Sequence, residues 1–284
     1  MGARSWNRQD IARLMGVDPL PDDRFRAPFN ERNAYSALFG GQLLGQALAA
    51  ADATVAGKHV HSLHAHFIRS GSVDEVVDYQ IEKIRDGARL SLRRVTGLQG
   101  NREICSVTCS YCVDLEGYEH QAEMPAVDLA GAIDAAELAR SGKADPFPFI
   151  ARYVDPQPVE LRIPAEQGFN LRGHNPKRHY WLRTPSMAAV DDPAVHRQVL
   201  AYLSDYLLVG AALVPHTTPL PGAHIFVTSL DHAVWFHRPV RTDDWLLFVT
   251  ESPSSHAGLA LSRGLIFDQS GALVATTTQE SLKL

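Results

Sequence analysis

Apolar and polar residues alternate in short runs along most of the chain. Between residues 76 and 84, Val77, Tyr79 and Ile81 alternate with polar side chains, a period of two that predicts a half-buried strand. Similar runs occur in both halves, so most of the chain is predicted to be β-structure. Further strands are predicted at residues 60–68, 88–98, 102–113, 158–163, 178–184, 224–236, 244–250, 258–268 and 272–282.

Two longer apolar stretches predict buried helices, one in each half of the chain. Residues 39–52 read FGGQLLGQALAAAD, in which Gly and Ala permit close approach to other backbone. A second helix is predicted over 196–214, where the run VLAYLSDYLLVGAALV (199–214) is apolar on all sides and too short to span a membrane. Such a helix must be surrounded by protein, so we expect a curved antiparallel sheet around it.

The same order of elements, a helix followed by four strands, occurs twice, which indicates a duplicated domain. An N-terminal domain is predicted over 1–118 and a C-terminal domain over 158–284, joined by a Pro-rich linker over 119–157 with a helix at 130–142. Identical residues recur at one constant spacing, in the pairs Arg93 and Arg263, Gln99 and Gln269, and Thr108 and Thr278.

Charge and hydropathy exclude several kinds of partner. The 284 residues carry a formal net charge of -5, so nucleic acid is not expected as a partner. No apolar run is long enough to predict a membrane span, and the N-terminus lacks the apolar core of a secretory signal. The C-terminal Leu282-Lys283-Leu284 falls short of a peroxisomal S-K-L address. We therefore expect a cytoplasmic protein.

Two clusters contain residue types that bind metals. The run CSVTCSYC at 105–112 has the cysteine spacing of an iron–sulfur motif, but alternation on a strand puts its last thiol opposite the other two. In H-x2-H-x-H at 61–66, alternation likewise puts His61 opposite His64 and His66. We expect buried, unreactive thiols and ordinary histidines lining a groove of the first half. No metal and no cofactor are predicted.

The carboxylate of Asp205 lies within the second apolar helix. An ionised carboxylate in such surroundings costs free energy unless it is paired or hydrogen-bonded. An exposed position near a helix end, or a cap for another segment, would give it a purely structural role. Because Asp205 is predicted in mid-helix, it cannot cap its own helix. A carboxylate retained in an apolar element is a candidate for catalysis.

Seven stretches of the chain carry recognisable motifs. They are FGGQLLGQAL (39–48), VHSLHAHFIRSG (60–71), RDGARLSLRRV (85–95), LAYLSDYLL (200–208), LDHAVWFHRPV (230–240), DWLL (244–247) and LVATTTQES (273–281). Over nearly its whole length the chain resembles the acyl-CoA thioesterase II family. The resemblance implies an α+β fold of two fused hotdog domains, each an antiparallel curved sheet around a central helix. It also implies hydrolysis of acyl-CoA, with medium to long acyl chains expected, by a homo-oligomer.

The catalytic residues that the resemblance implies are Asp205, Ser229 and Gln279. The family has Ser or Thr at the hydroxyl position; Ser229 has the right spacing to the motif L-D-H, and Thr228 beside it faces the opposite side of a strand. Asp205 would act as general base on a water molecule, which Ser229 and Gln279 direct towards the thioester. At the repeat spacing Gln279 corresponds to Cys109, so one active site per chain is expected.

Alternatives remain for the mechanism and for the function. A covalent route would use Ser229 as nucleophile and His232 as base, but residues three apart on a strand face opposite sides. A non-hydrolytic acyl-CoA binding protein and a hotdog enoyl-CoA hydratase are the competing functions. Arginines suit the phosphates of coenzyme A, although each can equally be a surface charge or a structural ion pair. The substrate-binding candidates are His64, Arg69, Arg93 and Arg238.

Overall fold

The protein is represented by a computed structural model that describes residues 2–31, 37–141, 157–167, 174–216 and 227–283. The end of the predicted linker (142–156), the first residues of the strand predicted over 224–236, and Leu284 lie outside the described residues. The predicted domain limits at 118 and 158 stay predictions.

More of the described residues lie in strands than in helices. Its helices are α1 (Ile11–Met15), α2 (Gly40–Asp52), α3 (Ala135–Ser141), α4 (Pro193–Ser204) and α5 (Gly210–Leu213). Its strands are β1 (Arg4–Ser5), β2 (Asp18–Leu20), β3 (Arg24–Ala27), β4 (Phe29–Asn30), β5 (His59–Phe67), β6 (Val77–Asp86), β7 (Leu90–Gln99), β8 (Arg102–Cys112), β9 (Ile133–Asp134), β10 (Glu160–Ile163), β11 (Lys177–Arg183), β12 (Val227–Ser229), β13 (Asp231–Phe236), β14 (Leu246–His256), β15 (Leu259–Phe267) and β16 (Leu273–Lys283).

One large antiparallel sheet runs through both halves of the chain. Its strand order is β2-β3-β6-β7-β8-β5-β13-β16-β15-β14-β11-β10-β9, and β12 pairs with β16 beside this path. The two halves join where β5 pairs with β13, with His64 opposite Ala233. We call the strands up to β8 the N-terminal half and those from β10 onwards the C-terminal half.

The helices α2 and α4 lie inside the curved sheet and pack against each other. Every residue of α2 from Gly41 to Ala51 is buried, which explains why the stretch has no polar face. Glycine lets the two backbones approach closely, since a Cβ atom on Gly45 would lie 2.8 Å from the carbonyl oxygen of Gln198. Two central helices within one curved antiparallel sheet confirm the predicted α+β double-hotdog class.

The linker covers the outer face of the C-terminal half of the sheet. Its residues Met124, Val127 and Leu129 pack on a second apolar cluster that includes Trp181 and Trp245. This cluster lies on the opposite side of the sheet from the central helices. Within the described ranges, no helix is both long and apolar enough to cross a membrane.

The continuous helix predicted over 196–214 is wrong. Helix α4 begins at Pro193, after the Asp192 cap, and ends at Ser204. Leu207 has a φ of 64°, a left-handed conformation that ends helical geometry, and α5 starts only at Gly210. Asp205 therefore caps the C-terminus of α4 and does not lie in mid-helix.

Candidate active site

The Asp205 carboxylate is buried at the end of α4, where it meets the first turn of α2 from the other half. It accepts hydrogen bonds from the Gln279 side-chain amide and from the backbone N–H of Gly41. Burial raises the pKa of Asp205 to about 7, and these two hydrogen bonds only partly offset that rise. A carboxylate with such a pKa exchanges protons readily near neutral pH.

The first turn of α2 reaches the carboxylate because glycine occupies its start. A Cβ atom on Gly40 would lie 2.7 Å from Asp205 Oδ2 and 2.9 Å from Cζ of Phe67. Helix α2 also directs the positive end of its dipole at the carboxylate, which favours the ionised form. The N-terminal half thus supplies backbone contacts to a side chain of the C-terminal half.

The Gln279 side chain connects the polar groups of this cluster. Gln279 lies on the inner face of β16 and is buried. Its Nε2 donates to Asp205 and to Ser229 Oγ at 2.9 Å, and it lies 3.3 Å from His232 Nδ1. The three predicted catalytic residues, which come from α4, β12 and β16, are thereby brought together. Thr228 neighbours Ser229 on β12, where alternation turns it to the other face.

The side chain of His232 joins the same cluster, although it is predicted on the face opposite Ser229. That prediction is wrong because the strand is interrupted at Leu230, between β12 and β13. The pairing with β16 shifts there by one residue, from Ser229 opposite Ser281 to Ala233 opposite Thr278. Both side chains therefore reach Gln279. Burial lowers the pKa of His232 to about 3, so its imidazole is neutral at physiological pH.

The sequence did not indicate His232 as a neighbour of Asp205. The two side chains approach to 3.9 Å between Nδ1 and Oδ1. Sequence reasoning also missed Gly40 and Gly41. The pair GG at the very start of an apolar helix was the available signal, because a close approach at a helix N-terminus favours glycine.

The structure contradicts the substrate-binding prediction for Arg93. Its side chain is 2% exposed, and its N–H groups donate hydrogen bonds to other groups of the protein. Nε donates to Thr54 Oγ1 at 2.9 Å, and Nη2 donates to the backbone oxygen of Thr54 and to Asp86. Nη1 donates to the backbone oxygens of Arg85 and Leu92, both at 3.1 Å. Arg93 has a structural role, and no donor remains for a phosphate.

The histidines of β5 lie on its outer face, away from the central helices. His64 is exposed and packs edge-on against Trp235, with 5.1 Å between ring centroids. It does not line an inner groove as predicted. A bulge between Val60 and Ser62 shifts His61 so that it bonds Ser110 at 2.8 Å, and His61 shares the outer face with His64. The prediction that His61 faces the other way is therefore wrong.

The two remaining arginine candidates lie at opposite ends of the central strand pair. Arg69 follows β5, whose last residue, Phe67, donates its N–H to Leu230 beside Ser229. Arg69 is exposed and donates to the backbone oxygen of Glu103. Arg238 follows the far end of β13 and donates to the backbone oxygen of Leu273 at 2.9 Å. Of the two, Arg69 lies at the end of the strand pair that is nearer to Ser229.

The cysteines of β8 show no arrangement for a cluster. Cys105 and Cys109 are buried and Cys112 is partly exposed, and all three thiols are free. Burial raises the pKa of Cys105 to about 12. Among the described residues, no group of His, Cys, Asp and Glu side chains is placed to hold a metal ion.

A counterpart of the carboxylate exists in the N-terminal half. It is Asp52, which lies at the end of α2 as Asp205 lies at the end of α4. Asp52 accepts from Tyr111 and from Gln198, each at 2.8 Å, and burial raises its pKa to about 6. Two partners from the protein already occupy this carboxylate.

The strand positions around this counterpart carry no catalytic set. Cys109 lies opposite Arg93 in the N-terminal half, just as Gln279 lies opposite Ser262 in the C-terminal half. The strand neighbour is thus the large, charged Arg93 in the N-terminal half and the small Ser262 in the C-terminal half. Within the described residues, the carboxylate, amide and hydroxyl therefore come together at one site.

A curved antiparallel sheet around two central helices defines a double-hotdog protein. Family models agree: residues 155–282 match "Acyl-CoA thioesterase" and residues 30–112 match "Acyl-CoA thioesterase N-terminal domain". Human acyl-coenzyme A thioesterase 8 is 34% identical over 286 residues, covering 96% of this chain and 88% of the relative. Acyl-CoA thioesterase 2 of Haemophilus influenzae is 31% identical and covers 96% of both chains.

A solved structure has the same architecture. The acyl-CoA thioesterase II TesB2 from Mycobacterium marinum matches with a TM-score of 0.78 and 34% identity, covering 96% of each chain. The chain therefore belongs to the acyl-CoA thioesterase family and hydrolyses acyl-CoA thioesters. The family and the activity predicted from the sequence are confirmed.

Proposed function

We propose that Asp205, Ser229 and Gln279 carry out this hydrolysis with an activated water molecule. The observation that supports the proposal is the shared contact of Asp205 and Ser229 with the Gln279 amide. Asp205 takes a proton from water while the water oxygen attacks the thioester carbon. The carbon–sulfur bond then breaks, the fatty acid is released, and the proton passes from Asp205 to the leaving thiolate of coenzyme A.

Charge that develops on the carbonyl oxygen needs hydrogen-bond donors. The first turn of α2 presents N–H groups that have no partner within the helix, and its positive end lies at Asp205. We assign the stabilisation of this oxyanion to that turn, since preorganised backbone donors suit the task. Ser229 and the Gln279 amide hold the water in line with the carbonyl carbon.

The covalent alternative has less support. A base for Ser229 must accept its proton, but the lowered pKa of His232, about 3, makes that imidazole a weak base. Its Nδ1 also faces the Gln279 amide nitrogen and not a free hydroxyl. Asp205, with a pKa of about 7, is the stronger base in the same cluster.

Replacement of Ser229 separates the two mechanisms. In Ser229→Ala the water loses one positioning contact, so kcat is expected to fall about ten- to hundredfold, the equivalent of one hydrogen bond. Ser229→Thr should retain most of the activity because it keeps the hydroxyl. Steady-state thiol release measures kcat, and intact-protein mass spectrometry during turnover should find no acyl adduct. An acylated Ser229, or an Ala variant without any activity, would contradict the water mechanism.

The activity should depend on pH through Asp205. Because burial raises its pKa to about 7, the carboxyl is protonated and inactive as a base below that value. We expect kcat/KM to rise about tenfold per pH unit below pH 7 and to level off above it. The control is Asp52→Asn, which removes the other buried carboxyl with a raised pKa and should leave the profile unchanged. A profile that is flat between pH 5 and 8 would count against Asp205.

We propose medium to long acyl chains as substrates. The proposal is supported by the small side chains of Ser262 and Ser281, which flank Gln279 on the inner face of the sheet. Small side chains at these two positions restrict an extended acyl group less than large side chains would. Initial rates with a series of saturated acyl-CoAs from short to long test this, and a preference for acetyl-CoA would contradict it.

We further propose a cytoplasmic homo-oligomer. Three free cysteines suit a reducing compartment. Leu259 and Leu261, at 38% and 41% exposure, place apolar surface on the outside of β15. Light scattering of the purified enzyme measures the oligomeric state, and a monomer at micromolar concentration would contradict that part.

A further inference from the structure

The imidazole of His232 has no step in the proposed reaction, yet it is enclosed by the catalytic cluster. Its side chain is fully buried on the inner face of β13. Nε2 contacts Ser204 Oγ and Thr277 Oγ1, both at 2.9 Å, while Nδ1 faces the Gln279 amide nitrogen at 3.3 Å. The two ring nitrogens therefore have different kinds of neighbour.

The two hydroxyl groups decide which ring nitrogen carries the hydrogen. Ser204 Oγ donates its own hydrogen to the backbone oxygen of Ala201 at 2.8 Å. Thr277 Oγ1 donates to the backbone oxygen of Ala233 at 3.0 Å. Both oxygens can then only accept from the imidazole, so the hydrogen lies on Nε2. Nδ1 is left with a lone pair.

This lone pair acts on the orientation of the Gln279 side chain. An amide has two nearly isosteric orientations, with either Nε2 or Oε1 towards the cluster. Facing Oε1 towards the Nδ1 lone pair would oppose two acceptors. Nε2 has two hydrogens instead: one is directed to Asp205, and the other is shared between Ser229 Oγ and His232 Nδ1. We propose that His232 is a positioning residue that fixes the Gln279 amide with its nitrogen towards Asp205 and the attacking water. The proposal rests on the proposed function of Gln279.

The contribution of His232 matters most after proton transfer. While Asp205 is ionised, the carboxylate itself holds the amide nitrogen. Once Asp205 has taken the proton from water, it can donate a hydrogen bond, and its preference for the amide nitrogen is lost. His232 keeps its single tautomer throughout, because its hydrogen is held by neutral hydroxyl groups. The amide thus stays in place when the intermediate collapses.

Other groups around Asp205 do not replace this function. Tyr180, a second titratable side chain near Asp205, donates its hydroxyl hydrogen to the backbone oxygen of Tyr206 at 2.8 Å. The N–H of Gly41 holds the carboxylate but does not touch the amide. His232 is the group that sets the amide orientation independently of the charge on Asp205.

A double variant, Ser204→Ala with Thr277→Val, tests the proposal. It removes both acceptors for the Nε2 hydrogen with little change in shape, so the imidazole can adopt the other tautomer and the amide can flip. We expect kcat to fall about tenfold with an unchanged KM, as for the loss of one hydrogen bond. The ascending limb of the pH profile should move up by about one unit, because Asp205 loses the N–H that stabilises its ionised form.

Two further comparisons separate positioning from structural damage. Thr276→Val is the matched control: it removes the same kind of contact, between Thr276 Oγ1 and His237 Nε2 at 2.8 Å, on the outer side of the neighbouring position. Its pH profile should equal that of the wild type. His232→Asn, which keeps an acceptor near Gln279, should retain more activity than His232→Leu.

The tautomer can also be measured directly in the unaltered enzyme. Nitrogen-15 NMR of the full chain, with His232 assigned by comparison with His232→Asn, should show the hydrogen on Nε2. A hydrogen on Nδ1, or a folded double variant with the wild-type pH profile, would overturn the proposal. Neither result would affect the assignment of Asp205 as base, which is tested by its own substitution, so the two failures are distinguishable.

Discussion

Asp205→Asn is expected to abolish turnover while leaving acyl-CoA binding largely intact. The amide keeps the size of the carboxyl but cannot take a proton from water, and a general base contributes about 10² to 10⁴ in rate. Binding should persist because recognition of the coenzyme A phosphates and of the acyl chain is not expected to involve the Asp205 side chain. Thiol release measures turnover, and titration with a non-hydrolysable thioether analogue of acyl-CoA measures binding.

The matched control for this experiment is Asp52→Asn. Both carboxyls are buried, both lie at the end of a central helix, and burial raises the pKa of each. Asp52 is hydrogen-bonded to Tyr111 and Gln198, outside the catalytic cluster. Its substitution should leave kcat within about threefold of the wild type, within the ordinary scatter of substitutions remote from the chemistry. Full activity in Asp205→Asn would refute the assignment of the base.

The same Asp205→Asn variant should be more stable than the wild type at alkaline pH. Asp205 has a pKa of about 7 in the folded protein, against 3.8 for an ordinary aspartate side chain. A raised pKa means that the folded state binds the proton more tightly, so its stabilising contribution is present below pH 3.8 and is lost as the pH rises through 7. Asn carries no such proton and does not lose stability in this range.

The size of the effect follows from the pKa difference. Between pH 5 and pH 7, two pH units correspond to about 3 kcal/mol at about 1.4 kcal/mol per unit. The stability advantage of the variant should grow by up to this amount as the pH rises from 5 and should level off near pH 8, where the carboxyl has lost its proton. Urea unfolding at several pH values measures it, and Asp52 contributes equally to both proteins. An advantage that shrinks with rising pH would show that the folded protein stabilises the carboxylate.

The fold was predictable because its signals are local and periodic. Alternation in residues such as Val77 and Tyr79 indicates β-strands, and the apolar run that became α2 indicates a helix enclosed by protein. The residue type at the break does not indicate it, since leucine favours helix and yet Leu207 has a left-handed conformation. At this break Asp205 contacts Gly41 in α2 and Gln279 in β16. These residues are far from Asp205 in the sequence, so a local pattern cannot predict the contacts.

The site was predictable where motifs carry it and less so where geometry does. The resemblance pointed to Asp205, Ser229 and Gln279, and the structure brings them within hydrogen-bond contact. The position of His232 in the cluster was not predicted, because the irregular residue Leu230 reverses the expected alternation of side chains. Arg93 was misjudged because an arginine on an alternating strand gives no indication that every donor is used internally.

Gly40 and Gly41 belong to a half of the chain that contributes none of the three catalytic side chains. Nevertheless, that half supplies the backbone against which the Asp205 carboxylate lies. The chemistry of the C-terminal half therefore depends on a helix start in the N-terminal half that stays free of side chains. A genetic screen for loss of function should therefore recover substitutions at these two glycines as well as at Asp205. Deletion of either half should abolish the activity, because the carboxylate and the backbone that contacts it come from different halves.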